Sequence, residues 1–518
     1  MRLVCGSIDM NLRVYYFVWI FLAWSMPAFA ARNVLLIIAD DLGTDSLRLY
    51  NSTAGAAAPT PNLNALSANG IRFTNAYACP VCSPTRAAML TGRYGFRTGV
   101  GNVVSSAAGN ALTAAEITLP EAIAAHSALG IRCASFGKWH LSSGGPLQIA
   151  NAPNAIGGWP HYAGSTAGVI SSYTSWTKTT NGTTSTSTVY ATTDVVNDAV
   201  LWIQARALAN QRWMAWVAFN APHTPFHTPP VSLHSYGVAP ASNLLKYQAA
   251  VEAMDTEIGR LLAAVNLTET DVIFIGDNGT PSSVIRPPYD NTHAKDSLYE
   301  GGVRVPLVIR GPAVNQAGRA TDALVHCVDI FHTVLDMLDV DIPASTLDSR
   351  SMVPILGNQS NSTRSRLYSE KFDQSDAVVG GRIIRDDRYK LLRSNAGNDE
   401  FYDLQIDPAE TTNLFTGGRN GLNVTQRARY DRLRFNFSDF SSLSIVAPVT
   451  HGMTNGNFFL SVADLANYRE SLWTCSDLDN WAPAENVASS VQGGHATFSQ
   501  AIDPAMPRKF FSVLRESE

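Results

Sequence analysis

The first hydrophobic block of the chain is Val34-Leu35-Leu36-Ile37-Ile38-Ala39, which stops abruptly at Asp40-Asp41. A continuous apolar run with no polar alternation predicts a strand buried on both faces. Helical spacing follows over Pro61 to Ala68, with Gly70 as its stop. It returns after Cys82, where Ser83 and Pro84 make a cap and first-turn pair before Ala87-Ala88-Met89-Leu90 and Gly92. A third helix opens near Pro120 and ends at Gly130, ahead of a strand from Ile131 to Phe136. The alternation continues with a helix over Val195 to Ala209 and a strand over Trp213 to Phe219. An amphipathic helix over Leu244 to Val265 and a strand over Val272 to Ile275 follow. Such alternation predicts an α/β fold with a large, mostly parallel central sheet flanked by helices on both faces. Ligands of such sheets sit beyond the carboxyl ends of the strands. Here those ends are Asp40-Asp41, Lys138-Trp139-His140, Asn220 to His223, and Asp277-Asn278. From about Leu367 the pattern shifts to short polar segments such as Arg388 to Leu391 and Phe401 to Leu404. The expected organisation is therefore a catalytic domain over 31–365 and a smaller α+β domain over 366–518 carrying an antiparallel sheet. The Thr/Ser tract from Thr177 to Thr188 reads as a surface loop.

Composition narrows the partners. Of 518 residues, 45% are hydrophobic, enough for a large core and too many for a disordered chain. The net charge is −5 and no basic run occurs, which excludes electrostatic wrapping of nucleic acid. Charged residues make up only 16%, a profile that suits an exported protein. Residues 1–30 read as a signal peptide: Arg2 and Arg13 precede the apolar run Val14 to Trp24, and Ala28-Phe29-Ala30 offers a cleavage site. That run is far shorter than the roughly 20 residues a bilayer span requires, so a periplasmic or secreted location is expected, lysosomal or extracellular in a eukaryote. Removal of Cys5 with the leader leaves Cys79, Cys82, Cys133, Cys327 and Cys475. An odd count in an oxidising compartment implies a free or modified thiol.

Two constellations carry chemistry. Asp40, Asp41, Asp277 and Asn278 all follow apolar strands, and adjacent carboxylates repel one another unless a cation or protons neutralise them. Hard oxygen donors favour calcium or magnesium over zinc. Taken singly, each pair reads equally well as a turn; their shared strand-end position favours a metal. In the second constellation, Cys82-Ser83-Pro84-Thr85-Arg86, a helix start provides free N–H groups and its positive dipole end. Arg86, on the same face, matches a tetrahedral oxyanion. Cys79-Pro80-Val81-Cys82 is also a C-x-x-C; nothing around it resembles a thioredoxin unit, so a structural disulfide between these two is preferred to redox chemistry. Cys133, Cys327 and Cys475 read as core thiols or a disulfide. His223 and His227 have zinc-pair spacing, which Pro222 and Pro225 discount by excluding a helix. An extended Lys138-Trp139-His140 would send Lys138 and His140 to one side and into one pocket.

The run from Cys82 through Thr91-Gly92-Arg93 resembles the signature of the type I sulfatases, whose C-x-P-x-R cysteine becomes formylglycine. Gly137-Lys138-Trp139-His140-Leu141 resembles a second signature of that family. Asn33 to Asp41 is similar to its first strand and metal pair, and Asp277-Asn278-Gly279 to its later one. Lys295 through Pro306, and Tyr402-Asp403-Leu404 with Asp407-Pro408, extend the likeness over nearly the whole mature chain. The resemblance implies an alkaline phosphatase-like fold and a sulfuric ester hydrolase. It implies one calcium ion held by Asp40, Asp41, Asp277, Asn278 and the formylglycine made from Cys82 by a formylglycine-generating enzyme. Arg86, Lys138 and Lys295 would bind sulfate, His140 would assist turnover of the formylglycine, and His223 would lie near the leaving oxygen. The implied substrate is a sulfated small molecule or carbohydrate. The chain departs from the pattern at His332, where many relatives carry Pro, and after His140-Leu141, where no glycine follows at once. A phosphonate monoester or phosphodiester hydrolase with the same site, and an inactive carbohydrate-binding relative, are the rival readings. The natural ester and the oligomeric state are not written in the sequence.

Overall fold

The computed structural model describes residues 33–437 except 53–56, 106–109, 344–347 and 374–379, together with discontinuous segments between 444 and 517. The predicted leader, 1–30, lies outside the described residues.

Ten strands form the central sheet: β1 (Asn33–Ala39), β2 (Ile71–Tyr77), β3 (Arg132–Gly137), β4 (Tyr162–Gly164), β5 (Trp176–Thr180), β6 (Thr183–Ser187), β7 (Trp213–Ala218), β8 (Thr270–Gly276), β9 (Leu307–Arg310) and β10 (Arg319–His326). Their order is β10-β2-β9-β8-β1-β7-β3-β4-β5-β6, and only β9 and β5 run against the rest. The mostly parallel sheet is as expected. Because side chains alternate across a strand, Val34, Leu36 and Ile38 of β1 enter one core while Leu35, Ile37 and Ala39 enter the other. Helices Cys82–Thr91 and Asp329–Met337 supply the first core, and Ala191–Leu208 and Asn243–Ala263 the second. A smaller antiparallel sheet follows, β11 (Leu367–Phe372), β12 (Gly380–Arg385), β13 (Tyr389–Ser394) and β14 (Asp399–Asp403), with helix Val424–Asn436 beside it. Phe401 of β14 meets Tyr430 of that helix edge to face at 5.7 Å. Two further four-stranded sheets lie between Ser444 and Ser517. Among the described residues no helix is long and apolar enough to cross a membrane.

Local outcomes differ in places. The Thr/Ser tract is not a loop: it forms the hairpin β5–β6 at the sheet edge, because β-branched threonines fit a pleated surface despite their polarity. The helix near Pro120 ends at Ala124 and gives way to a single 3-10 turn before Gly130, whose φ of 65° closes it. Helix Cys82–Thr91 begins one residue before the expected cap: Val81 is the extended N-cap, and Ser83 turns its hydroxyl to the His140 carbonyl instead.

Candidate active site

Strands β8, β1, β7 and β3 are consecutive in the sheet, so their carboxyl ends converge on one edge. Asp277-Asn278, Asp40-Asp41, His223 and Lys138 leave those ends, and the first turn of helix Cys82–Thr91 meets them. Asp40, Asp41, Asp277, Asn278, Cys82, Arg86 and Lys138 are all buried. Every predicted site residue is brought to this pocket.

Its contacts interlock. Lys138 Nζ lies 2.6 Å from Asp40 Oδ2 and 3.5 Å from Cys82 Sγ. Arg86 donates through Nη2 to Asp277 Oδ2 at 2.7 Å and through Nη1 to the Lys138 carbonyl at 3.0 Å. Lys295 Nζ sits 2.5 Å from Asp41 Oδ1, which also accepts from Asn278 Nδ2 at 2.8 Å. Asp41 takes a φ of 67°, and its amide donates to Asp277 Oδ1. His223 Nε2 faces Asp41 Oδ2 at 3.6 Å. Its Nδ1 lies 2.8 Å from the Thr224 carbonyl and must donate there, since a carbonyl only accepts.

His140 also departs from expectation. Its φ is 58°, so the segment after β3 is not extended, and Lys138 and His140 converge through a turn rather than strand alternation. His140 Nε2 lies 3.1 Å from the Val104 carbonyl and carries the proton. Nδ1 is buried with no partner, which leaves a free lone pair.

Burial and crowding set the protonation. Burial alone would raise Asp40, yet Lys138, His223, Arg86 and Lys295 together hold it well below the usual carboxylate range. Burial and the neighbouring Asp40 charge instead push Asp277 up to about 7. Burial, then Lys138 and Arg86, force His140 well below the ordinary imidazole value, so it stays neutral. Burial would lower Lys295, but Asp41 raises it above the ordinary lysine range.

The donor set fits a hard cation. Asp40 Oδ1 and Asn278 Oδ1 are buried acceptors with no hydrogen-bond partner, and Arg86 Nη2 stands off from Asp40 Oδ1 at 3.9 Å. Such orphaned oxygens cost energy unless something occupies them. Asp40, Cys82 and Asp277 offer ligand atoms within 4.8 Å of one another, as do Asp40, Asp41 and His223.

Sequence reasoning missed the residues that hold these groups in place. Tyr247 donates to the Asp41 carbonyl at 2.8 Å, and Tyr173 donates to the carbonyls of Asn220 and His223 at 2.6 and 2.8 Å. A lone tyrosine on a helix or in a loop has no local signal for such a role. His227 turns away from His223 to stack on Tyr173 at 3.7 Å, so no histidine pair forms. The expected Cys79–Cys82 disulfide is also corrected: the two are not joined, Cys82 facing Lys138 and Cys79 grouped with His326 and Cys327. Cys133 and Cys327 are buried, and the side chain of Cys475 lies outside the described residues.

A family profile described as Sulfatase matches residues 32–340, and one described as N-sulphoglucosamine sulphohydrolase, C-terminal, matches residues 291–430. Human arylsulfatase A is 28% identical over 445 residues, 74% of this chain and 83% of its own length. Bovine arylsulfatase A is 30% identical over 423 residues, 75% and 80% of the two chains. Among solved structures, Ps i-CgsB in complex with k-i-k-neocarrahexaose aligns with a TM-score of 0.65 at 23% identity, covering 77% of this chain and 92% of that one. BT4656 in complex with its substrate D-glucosamine-2-N,6-O-disulfate aligns at 0.63 and 20% identity, covering 79% and 98%.

Proposed function

Because this chain belongs to the sulfatase family and hydrolyses sulfate esters, we propose that its nucleophile is Cys82 converted to formylglycine, in a pocket completed by one calcium ion. The observation that carries this reading is the position of Cys82: at the head of a buried helix, 3.5 Å from a lysine ammonium and grouped with Asp40 and Asp277. The hydrated aldehyde supplies two hydroxyls on one carbon, one to attack sulfur and one whose deprotonation expels sulfate. Calcium, held by Asp40, Asp41, Asp277, Asn278 and position 82, supplies positive charge to the sulfate oxygens when bound.

The chain's own residues do the rest. Arg86, Lys138 and Lys295 balance the three carboxylates, so the added cation leaves the pocket positive and suited to an anionic ester. Lys138 and Arg86 orient the sulfate from the helix side and Lys295 from the other. Neutral His140, with Nε2 tied to Val104, presents Nδ1 to take a proton from the second hydroxyl. His223, anchored through Nδ1, sets Nε2 beside the leaving oxygen.

The substrate class we favour is a sulfated carbohydrate, supported by the C-terminal profile match and by the sugar ligands named for the two structural neighbours. The leader pattern and low charge support export to the periplasm or secretion, and a formylglycine-generating enzyme is the implied maturation partner. The mass of the peptide spanning position 82, read beside turnover of nitrophenyl sulfate and nitrophenyl phosphonate esters, tests the proposal. An aldehyde with sulfate preference is the expected result; an unmodified thiol in fully active protein overturns it, and phosphonate preference overturns the ester assignment.

A further inference from the structure

The C-x-x-C leaves one cysteine without a role. Cys79 stands two residues past β2, and Cys327 immediately follows β10. These strands are parallel neighbours with Tyr77 opposite His326, and the Cys327 amide donates to the Tyr77 carbonyl at 2.7 Å. The thiols of Cys79 and Cys327 and the ring of His326 therefore fall together, all within 4.8 Å, with the cysteines only 2% and 1% exposed. Cys82 belongs to a different group, with Asp40 and Asp277. The turn that carries Cys79 into one pocket and Cys82 into another is fixed by Thr85, whose hydroxyl accepts the Cys79 amide at 2.9 Å.

We propose that Cys79 and Cys327 are joined by a disulfide, which ties the segment ahead of the nucleophile helix to β10 and removes from reaction with Cys82 the thiol three residues before it. In the cell this rests on the export proposed above. A neutral disulfide suits the site better than a metal does. Metal binding requires thiolates, and burial pushes Cys327 well above the ordinary thiol range. The neighbouring imidazole brings no charge: His326 is held well below its usual value by burial, and its Nδ1 accepts the Val328 amide at 3.1 Å. A disulfide has no charge to solvate and no hydrogen bond to satisfy. Two S–H bonds break and one S–S bond forms; two electrons and two protons pass to an oxidant disulfide, which leaves as two thiols. The burial of both sulfurs places this exchange during folding or local opening.

The test denatures full-length protein from an oxidising compartment in alkylating reagent without reductant and maps its peptides. The expected result is a linked pair containing Cys79 and Cys327, about 2 Da lighter than the two reduced peptides together and separated by reductant. Quantitative alkylation of both, a Cys79–Cys82 link, or a stoichiometric soft metal protecting both thiols overturns the proposal. Reduced, folded protein equilibrated with a glutathione couple of secretory poise gives the same reading without reliance on export. Cys79→Ser, Cys327→Ser and the double variant should lower the thermal midpoint by one common amount that vanishes in reductant; additive or reductant-independent losses overturn it. The link is measurable whether or not Cys82 is converted, so its failure is distinct from failure of the formylglycine reading.

Discussion

Two buried carboxylate sites follow strands of the central sheet and are settled in opposite ways. Asp329, wholly buried at the start of helix Asp329–Met337, receives Arg364 through two nitrogens. It also accepts the amides of His326 and Arg350 at 2.9 and 2.8 Å, so both oxygens are satisfied within the chain. At the strand ends, Asp40, Asp41 and Asp277 meet Lys138, Lys295 and Arg86, yet Asp40 Oδ1 and Asn278 Oδ1 remain without donors. Charge alone does not separate the two clusters, because both contain paired cations. What separates them is completeness: a structural cluster closes its hydrogen bonds, and a ligand site keeps some open.

The largest expected effect tests the open cluster. Cys82→Ala should reduce sulfate ester turnover by roughly 10⁴-fold or more while circular dichroism stays unchanged, since alanine suits a first helical turn. Activity near that of the parent protein would remove Cys82 from the chemistry.

Next comes the closed cluster. Arg364→Met leaves Asp329 buried and unpaired and should cost about 3–5 kcal/mol in denaturant unfolding. Molecules that remain folded should keep their turnover number, and a selective loss of turnover would mean that Asp329 belongs to the site.

Chelation should separate the clusters cleanly. Calcium at about 100 times its dissociation constant adds roughly 2.7 kcal/mol of stability, so a chelator should lower the thermal midpoint and the rate together in the parent protein. The Arg364→Met deficit should be the same with and without calcium. A midpoint indifferent to chelation would contradict the metal assignment.

A third carboxylate gives the smallest effect. Glu370 accepts from the Tyr368 hydroxyl and the Phe96 amide at 2.8 and 2.7 Å, and burial raises it from 4.5 to about 7. The folded chain therefore keeps a proton that the unfolded chain releases across this interval. Its contribution is full below pH 4.5 and is lost as pH rises through about 7. Glu370→Gln should remove about 2 kcal/mol of that decline from unfolding curves measured at pH 5 and pH 8. An unchanged slope would show that Glu370 ionises normally.

Much of this was legible because the strands announce themselves. An uninterrupted apolar run such as Val34 to Ala39 admits few readings, and the polar residues that end it locate the edge where ligands bind. The order β8-β1-β7-β3, which brings those ends together, is a property of long-range pairing and has no local signature. Lys295 illustrates the limit: it lies outside any strand or helix, its amide is anchored to the Thr280 carbonyl, and its ammonium reaches Asp41. His140 was legible as a residue but not as a geometry, since its left-handed backbone answers to neighbours such as Val104 and Ser83. In the Thr/Ser tract polarity suggests a loop while β-branching favours a strand, and the strand prevails.

The placement of β1 has a consequence for inactivation. Flanked by parallel partners and covered on both faces, it has no fraying route that exposes Asp40 and Asp41 alone. Its amides should exchange with deuterium only through global opening. Heat would then switch the catalyst off in one step, with no tepid, half-active form preceding collapse.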